Sequence, residues 1–182
     1  MKLTIYIGVV ALSLLSVLAW ADPASLYAGQ QTRDIKALSG QEVQDYLDGK
    51  GMGLAKAAEL NRYPGPAHVL ELAAPLNLSA EQKQRTQDLF NRMQKKAANL
   101  GRLLVEEEQK LDRLFSTRTV THETLSAALE RIGKLQGEVR FAHLEAHLSQ
   151  AEILSATQIA RYVELRGYAG QATGHDGQSH KH

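Results

Sequence analysis

The sequence predicts an all-α protein, built around one long antiparallel pair of helices with short helices before and after it. Apolar residues recur at intervals of three and four over two long stretches. Prolines, which would break such helices, number only 4 among the 182 residues. Aromatic residues make up only 5% of the chain. This composition, with few β-branched runs, disfavours a β-sandwich or barrel.

Length and charge restrict the class of protein. A chain of 182 residues fits one domain. Its 21 Lys and Arg residues against 20 Asp and Glu give a net charge of +1, so nothing indicates nucleic acid or an anionic membrane surface as a partner. The absence of cysteine from the sequence excludes disulfides, thiolate metal sites, a cysteine nucleophile and a lipidated N-terminal cysteine.

Residues 1–21 have the layout of a secretory signal peptide. Lys2 gives a positive start, an apolar run of ~16 residues follows, and Ala19 and Ala21 are the small residues before a cut. The run is shorter than the ~20 residues of a membrane-spanning helix, although an uncleaved anchor is the alternative. We expect an exported protein whose mature chain carries no net charge.

Residues 22–65 are predicted to form an N-terminal extension with short helices. After a loose lead-in, Ser39 and Glu42 have the spacing of a capping box and predict a short helix that stops near Gly49. A second, Ala-rich helix is expected over residues 54–60.

Residues 66–168 are predicted to form the helical hairpin domain. Pro66 can open a short helix through Leu72, which Pro75 ends. The first long helix is expected over residues 79–115. Its apolar stripe comprises Phe90, Met93, Ala97, Leu100, Leu104, Leu111 and Leu114.

The second long helix is expected over residues 121–154, with Thr119 or Thr121 as its N-cap. The turn between the long helices is short, so they must run antiparallel. With a symmetric turn, residues whose numbers sum to 236 lie at one level. That register pairs Ile132 with Leu104, Val139 with Ala97, Leu125 with Leu111 and His143 with Met93. The hairpin alone has too little core, so the N-terminal helices or a second copy must cover it.

A short helix is expected from Ser155 to a C-cap at Gly167. Residues 169–182 are Gly, polar and His, which predicts a disordered tail. Gly101, Gly133 and Gly137 lie inside the long helices at a cost of ~1 kcal/mol each against Ala. Either backbones approach closely there, or the helices simply tolerate glycine.

His143 and His147 are the clearest candidates for metal ligands. Spacing of four puts both imidazoles on one helix face, which suits two ligands of one ion. Leu144 stands where the general base of a zinc protease would be. Met93 is the candidate third ligand, and His68 or Glu71 could complete the site. Imidazole with thioether favours copper or another late transition metal, although two such histidines can also be ordinary side chains at the edge of a core.

The tail histidines could capture Cu, Ni or Zn weakly, or could simply be part of a solvated polar tail. They are His175, His180 and His182.

The front of the first long helix is basic and is a candidate surface for an acidic client, although such a surface can also be a plain solvated face. The candidate residues are Lys83, Arg85, Arg92, Lys95 and Lys96. No nucleophile elbow, phosphate loop or carboxylate dyad is found, so we do not expect an enzyme.

Two near-identical pentads frame the hairpin, LSAEQ at 78–82 and LSATQ at 154–158. Each is a capped helix start, with Ser79 and Gln82 in one and Ser155 and Gln158 in the other. The pair resembles the LTxxQ group of exported helical proteins, which includes the Spy and CpxP chaperones and periplasmic heavy-metal sensors. Residues 59–66, residues 161–168 and the histidines before the second pentad look most like the sensor branch.

The resemblance implies a periplasmic hairpin that dimerises into a curved cradle. Chaperone members hold unfolded clients on the concave face, and sensor members bind a metal and signal to a membrane partner. A neutral mature chain without an anchor departs from both patterns. We expect a stress or heavy-metal-responsive homodimer that binds Cu, Ni or Zn and meets an unfolded periplasmic protein, a membrane sensor or an exporter. The alternatives are a metal-independent chaperone and a non-catalytic dimerising adaptor.

Overall fold

A computed structural model describes residues 25–170. The predicted signal peptide and the three tail histidines lie outside these described residues. The chain divides into two units after Gln31. Residues 26–29 form turns, and a 3₁₀ helix, Gln30–Thr32, follows them. All features below belong to the second unit.

The described chain is all-helical and contains no strand, which confirms the predicted fold class. A 3₁₀ turn, Tyr168–Gly170, follows the last α-helix and takes up the first two residues of the predicted tail. The α-helices are α1 Gly40–Leu47, α2 Lys56–Glu59, α3 Pro66–Glu71, α4 Ala80–Ser116, α5 His122–Ile153 and α6 Ala156–Leu165.

Capping boxes set the starts of α1, α4, α5 and α6. In each, the N-cap hydroxyl accepts a hydrogen bond from the backbone of the third helical residue, whose side chain bonds back to the N-cap backbone. Three of these boxes are predicted from the sequence, and Thr121 is the N-cap of the fourth. Pro66 occupies the first turn of α3, as expected.

Helices α4 and α5 pack against each other as the predicted antiparallel hairpin. Leu104 and Ile132 are both buried between them, as are Ala97 and Val139. Near the open end of the hairpin, the fully buried Gln150 side chain donates from Nε2 to Thr86 Oγ1 at 3.2 Å. The numbers of that pair also sum to 236, which agrees with the predicted register at this level.

Residues 32–78, here called the N-terminal segment, cover one face of the hairpin. The segment starts near the hairpin turn, where the Lys36 backbone N–H donates to Asp112 Oδ1 at 3.1 Å. It reaches the middle of α4 at Gly49, where an added Cβ would lie 2.5 Å from the Gln94 carbonyl oxygen. The segment thus runs antiparallel to α4 and supplies the cover that a two-helix core needs.

The glycines inside the long helices divide into two kinds. An added Cβ at Gly101 would overlap the backbone carbonyl of Tyr46 in α1, so close approach requires glycine there. Gly133 and Gly137 are exposed and have nothing within 4 Å of an added Cβ. Within residues 25–170, therefore, α5 simply tolerates them.

The base of the hairpin is where α4 begins, α5 ends and α6 begins. A core cluster of Val69, Leu76, Leu78, Leu154 and Tyr162 fills it. Both pentads begin in this cluster, since Leu78 and Leu154 are their first residues. None of the helices between residues 25 and 170 is both long and apolar enough to cross a bilayer.

Candidate functional site

A cavity of about 580 Å³ lies between the N-terminal segment and the base of the hairpin. Its wall includes four of the five candidate ligands that fall in the described chain, namely His68, Met93, His143 and His147. The fifth, Glu71, is exposed and does not line the cavity. A volume of several hundred Å³ with a few polar groups is typical of a binding pocket.

Glu59, which the sequence reasoning did not select, is the centre of a buried polar cluster on this wall. Its carboxylate oxygen Oε1 accepts from the Tyr162 hydroxyl at 2.5 Å and from the Tyr168 hydroxyl at 3.2 Å. The Arg166 guanidinium lies 3.4 Å from the same oxygen. The cluster therefore links α2 to the C-terminal end of α6. Each donor stabilises the negative charge of the buried carboxylate.

Residues 59–66 and residues 161–168 meet in this cluster. Glu59 begins one of them, and Tyr162, Arg166 and Tyr168 come from the other. Burial and the Glu59 carboxylate raise the pKa of Tyr162 well above its usual range, so its hydroxyl stays protonated and remains a donor.

His147 is held in place by backbone groups of the N-terminal segment. Its Nδ1 lies 2.8 Å from the Tyr63 carbonyl oxygen, which can only accept, so this nitrogen carries the proton. The same nitrogen lies 3.7 Å from Glu59 Oε2. The other ring nitrogen faces Gly65, where an added Cβ would lie 3.0 Å from it.

His143 has a buried ring nitrogen that makes no hydrogen bond within the described residues. Its side chain is buried, with 4% of the residue exposed, and Nε2 has no hydrogen-bond partner among the described residues. Burial, with the nearby His147 adding to it, lowers the pKa of His143, so the ring is neutral at pH 7. A neutral, buried and unpartnered imidazole nitrogen can bind a metal ion or a hydrogen-bonding ligand.

His68 stands at the edge of the cluster. Its Nδ1 lies 3.4 Å from Glu59 Oε1 and 3.4 Å from the Tyr162 hydroxyl, and its side chain is partly exposed. Between residues 25 and 170, no three His, Asp and Glu side chains converge closely enough to hold a metal ion.

The five basic candidates on α4 are all exposed. Three of them, Arg92, Lys95 and Lys96, surround a second recess together with Phe141, on the face of the hairpin away from the N-terminal segment. Here this is called the open face. The Lys96 ammonium lies 5.1 Å from the centre of the Phe141 ring and 2.9 Å from Glu145. Lys83 and Arg85 do not line this recess.

Comparisons with known proteins found no matching family model, no matching curated protein and no matching solved structure. The function has to be inferred from the residues of this chain and their arrangement.

Proposed function

We propose that this is an exported, non-enzymatic protein of the LTxxQ kind, which binds a transition metal ion in the cavity and responds to it. The observation that carries the proposal is the buried His143 Nε2, which lacks a partner within the described residues. Leaving such an atom unpaired costs ~1–3 kcal/mol. A bound Cu, Ni or Zn ion would remove that cost.

Met93 supports the same proposal from the facing helix. It shares the cavity wall with His143, and the register expected from the sequence pairs these two residues. His147 lies one turn further along α5, where the Tyr63 carbonyl fixes its ring. A metal ligand is commonly oriented by such a second hydrogen bond, so His147 stays a candidate through its other nitrogen.

Metal binding in this cavity would link the three parts of the fold that form its wall. The wall combines the N-terminal segment, both long helices and the end of α6. An ion held there would stabilise the packing of the N-terminal segment on the hairpin, because it binds only the folded arrangement. The receiver of the signal would be a membrane sensor or exporter that contacts a homodimer of this chain.

Calorimetric titration of the full chain with Cu(II), Ni(II) and Zn(II) tests the proposal. His175, His180 and His182 are first replaced by Ser, so that tail binding does not obscure the cavity. We expect saturable binding at one ion per chain, lost in His143→Gln and kept in the exposed control His122→Gln. Equal binding by both variants, or none in either, would overturn the proposal.

A second candidate function is the holding of unfolded clients on the open face. Phe141 is 56% exposed there, in a recess lined by three basic side chains and by Glu138. Such a surface suits a client that offers apolar residues with some acidic ones. This candidate predicts that Phe141→Ser weakens suppression of aggregation of an unfolded client, whereas His143→Gln leaves it unchanged. An adaptor that only dimerises would show neither metal binding nor client protection.

A further inference from the structure

The methionines of this chain are few, and two of the three line one cavity. Met93 lies on α4, and Met52 lies in the turn between α1 and α2. Apart from Met1, these are all the methionines in the sequence. Together with His143 they give the cavity wall two thioether sulfurs and an unpartnered imidazole nitrogen.

The position of Met52 is conformationally costly. Its φ of +46° lies in the left-handed region, which a long side chain adopts less readily than glycine does. Gly51 and Gly53 flank it, and glycine adopts a positive φ without this cost. A strained residue in a cavity wall is a reason to look for a role of its side chain, and not a reason in itself to assign one.

The charged side chains of the cavity wall are Glu59, which is acidic, and three cations, Lys50, Lys56 and Arg166. The Glu59 carboxylate is bonded to the Tyr162 and Tyr168 hydroxyls. Its second oxygen, Oε2, has no hydrogen-bond partner among the described residues, but Arg166 lies beside the carboxylate and Lys50 and Lys56 share the wall. The wall therefore favours an ion of low charge over a divalent one. Thioether sulfur is a soft ligand that favours Cu(I), whereas carboxylate and water favour hard ions.

We propose that Met52, Met93 and His143 form a soft binding site that selects Cu(I) or Ag(I) over Zn(II) and Ni(II). The inference rests on the proposed function and names the ion class for that same cavity. The two methionine side chains are unbranched and adaptable, which allows sulfurs from the turn and from α4 to approach one ion. A bound ion would then fix the turn of residues 49–53 against α4 and α5.

Nuclear magnetic resonance of the full chain with ¹³C-labelled methionine methyl groups tests this site directly. The chain gives at most three methyl signals, and Met52→Leu and Met93→Leu assign two of them. The tail histidines are again replaced by Ser, and Ag(I) is the probe because it does not change oxidation state. We expect both signals to shift and to saturate at one Ag(I) per chain, and Zn(II) to shift them only at a higher concentration than Ag(I) does.

Affinity measurements with the same variants complete the test. Leucine keeps the apolar volume of methionine, so the fold is retained. We expect Met52→Leu and Met93→Leu each to weaken Ag(I) binding about tenfold, which corresponds to losing one soft ligand. The Met52 change lies at a partly exposed turn and remains informative if the Met93 change disturbs the core.

The outcomes separate this inference from the proposed function. Divalent ions that bind through His143, with Ag(I) affinity unchanged in both leucine variants, would overturn the soft site and leave the proposed metal site standing. No binding of any ion after replacement of the tail histidines would overturn both.

Discussion

Gln82 and Gln158, the last residues of the two pentads, exchange hydrogen bonds across the base of the hairpin. Gln82 Nε2 donates to Gln158 Oε1 at 2.9 Å, and Gln158 Nε2 donates to Gln82 Oε1 at 3.0 Å. Each amide also accepts from the N-cap backbone of its own helix. The repeated pentad therefore has a structural meaning, because the two helix starts are also joined to each other.

The Gln82–Gln158 pair predicts that Gln82→Glu destabilises the protein even though Glu suits a capping box. Glutamate still accepts from the Ser79 backbone but cannot donate to Gln158 or to the Ile153 carbonyl. We expect the free energy of unfolding to fall by about 1–3 kcal/mol, measured by urea denaturation. The exposed control Gln87→Glu should change it by less than about 0.5 kcal/mol. Equal effects of the two changes would show that the cap alone matters.

The close approach of Tyr46 to Gly101 predicts opposite effects of alanine at different glycines. Gly101→Ala should lower stability by about 1–3 kcal/mol, because the new Cβ overlaps the Tyr46 carbonyl and α1 must shift. Gly133→Ala and Gly137→Ala should raise stability by about 0.5–1 kcal/mol each, since nothing opposes the better helix propensity. Thermal unfolding of the three variants decides this. A gain in stability at position 101 would contradict the close packing of α1.

The buried cluster at Glu59 predicts a large loss on Glu59→Gln. The amide keeps the shape of the side chain but weakens the bond from Tyr162 and leaves Arg166 without its carboxylate. We expect a loss of about 2–4 kcal/mol, the range for breaking a buried ionic group by removing one partner. The exposed control Glu71→Gln on the neighbouring helix α3 should be close to neutral. Chemical denaturation compares the two, and similar values would contradict the central role of Glu59.

The ion pairs of Glu107 predict a pH-dependent contribution to stability. Hydrogen bonds from Lys110 and then Arg131 hold the pKa of Glu107 below its usual value of 4.5, with the nitrogens 2.6 and 2.9 Å from its oxygens. A lowered folded-state pKa means that the stabilisation is present above pH 4.5 and is lost as pH falls through the folded value.

Glu107→Gln should therefore cost about 0.5–1 kcal/mol at neutral pH and low salt, and this cost should shrink as the pH is lowered from 4.5 through the folded-state pKa. The control Glu106→Gln removes an ion pair with Arg102 inside α4 only and should have the smaller effect. Urea unfolding at several pH values measures both. A deficit that does not shrink at all as the pH falls below 4.5, down to the acid-unfolding range, would show that packing, and not charge, is responsible.

Local signals in the sequence were sufficient to predict where the helices begin and that the two long helices pair. Capping residues and apolar spacing act within a few residues, so Ser79, Thr121 and Ser155 mark their helices correctly. The symmetric-turn argument also places Thr86 opposite Gln150.

The centre of the cavity wall could not be predicted in the same way. Glu59 lies on a four-residue helix in an Ala-rich stretch, and its partner Tyr162 is 103 residues away. Nothing local indicates that this carboxylate is buried. The position of Met52 in the cavity wall could not be predicted for a related reason. A glycine-rich turn has no periodic pattern that indicates which residues its side chains contact.

The N-terminal segment makes the two faces of the hairpin different, because it covers only one of them. Within the described residues, its own chain occupies the side that carries His143, whereas Phe141 and the neighbouring basic residues remain accessible on the other side. Filaments and stacked arrays need two adhesive sides per molecule, and association through one side closes after a pair has formed. If copies of this chain associate through the long helices, growth through both sides would first require the N-terminal segment to leave α4.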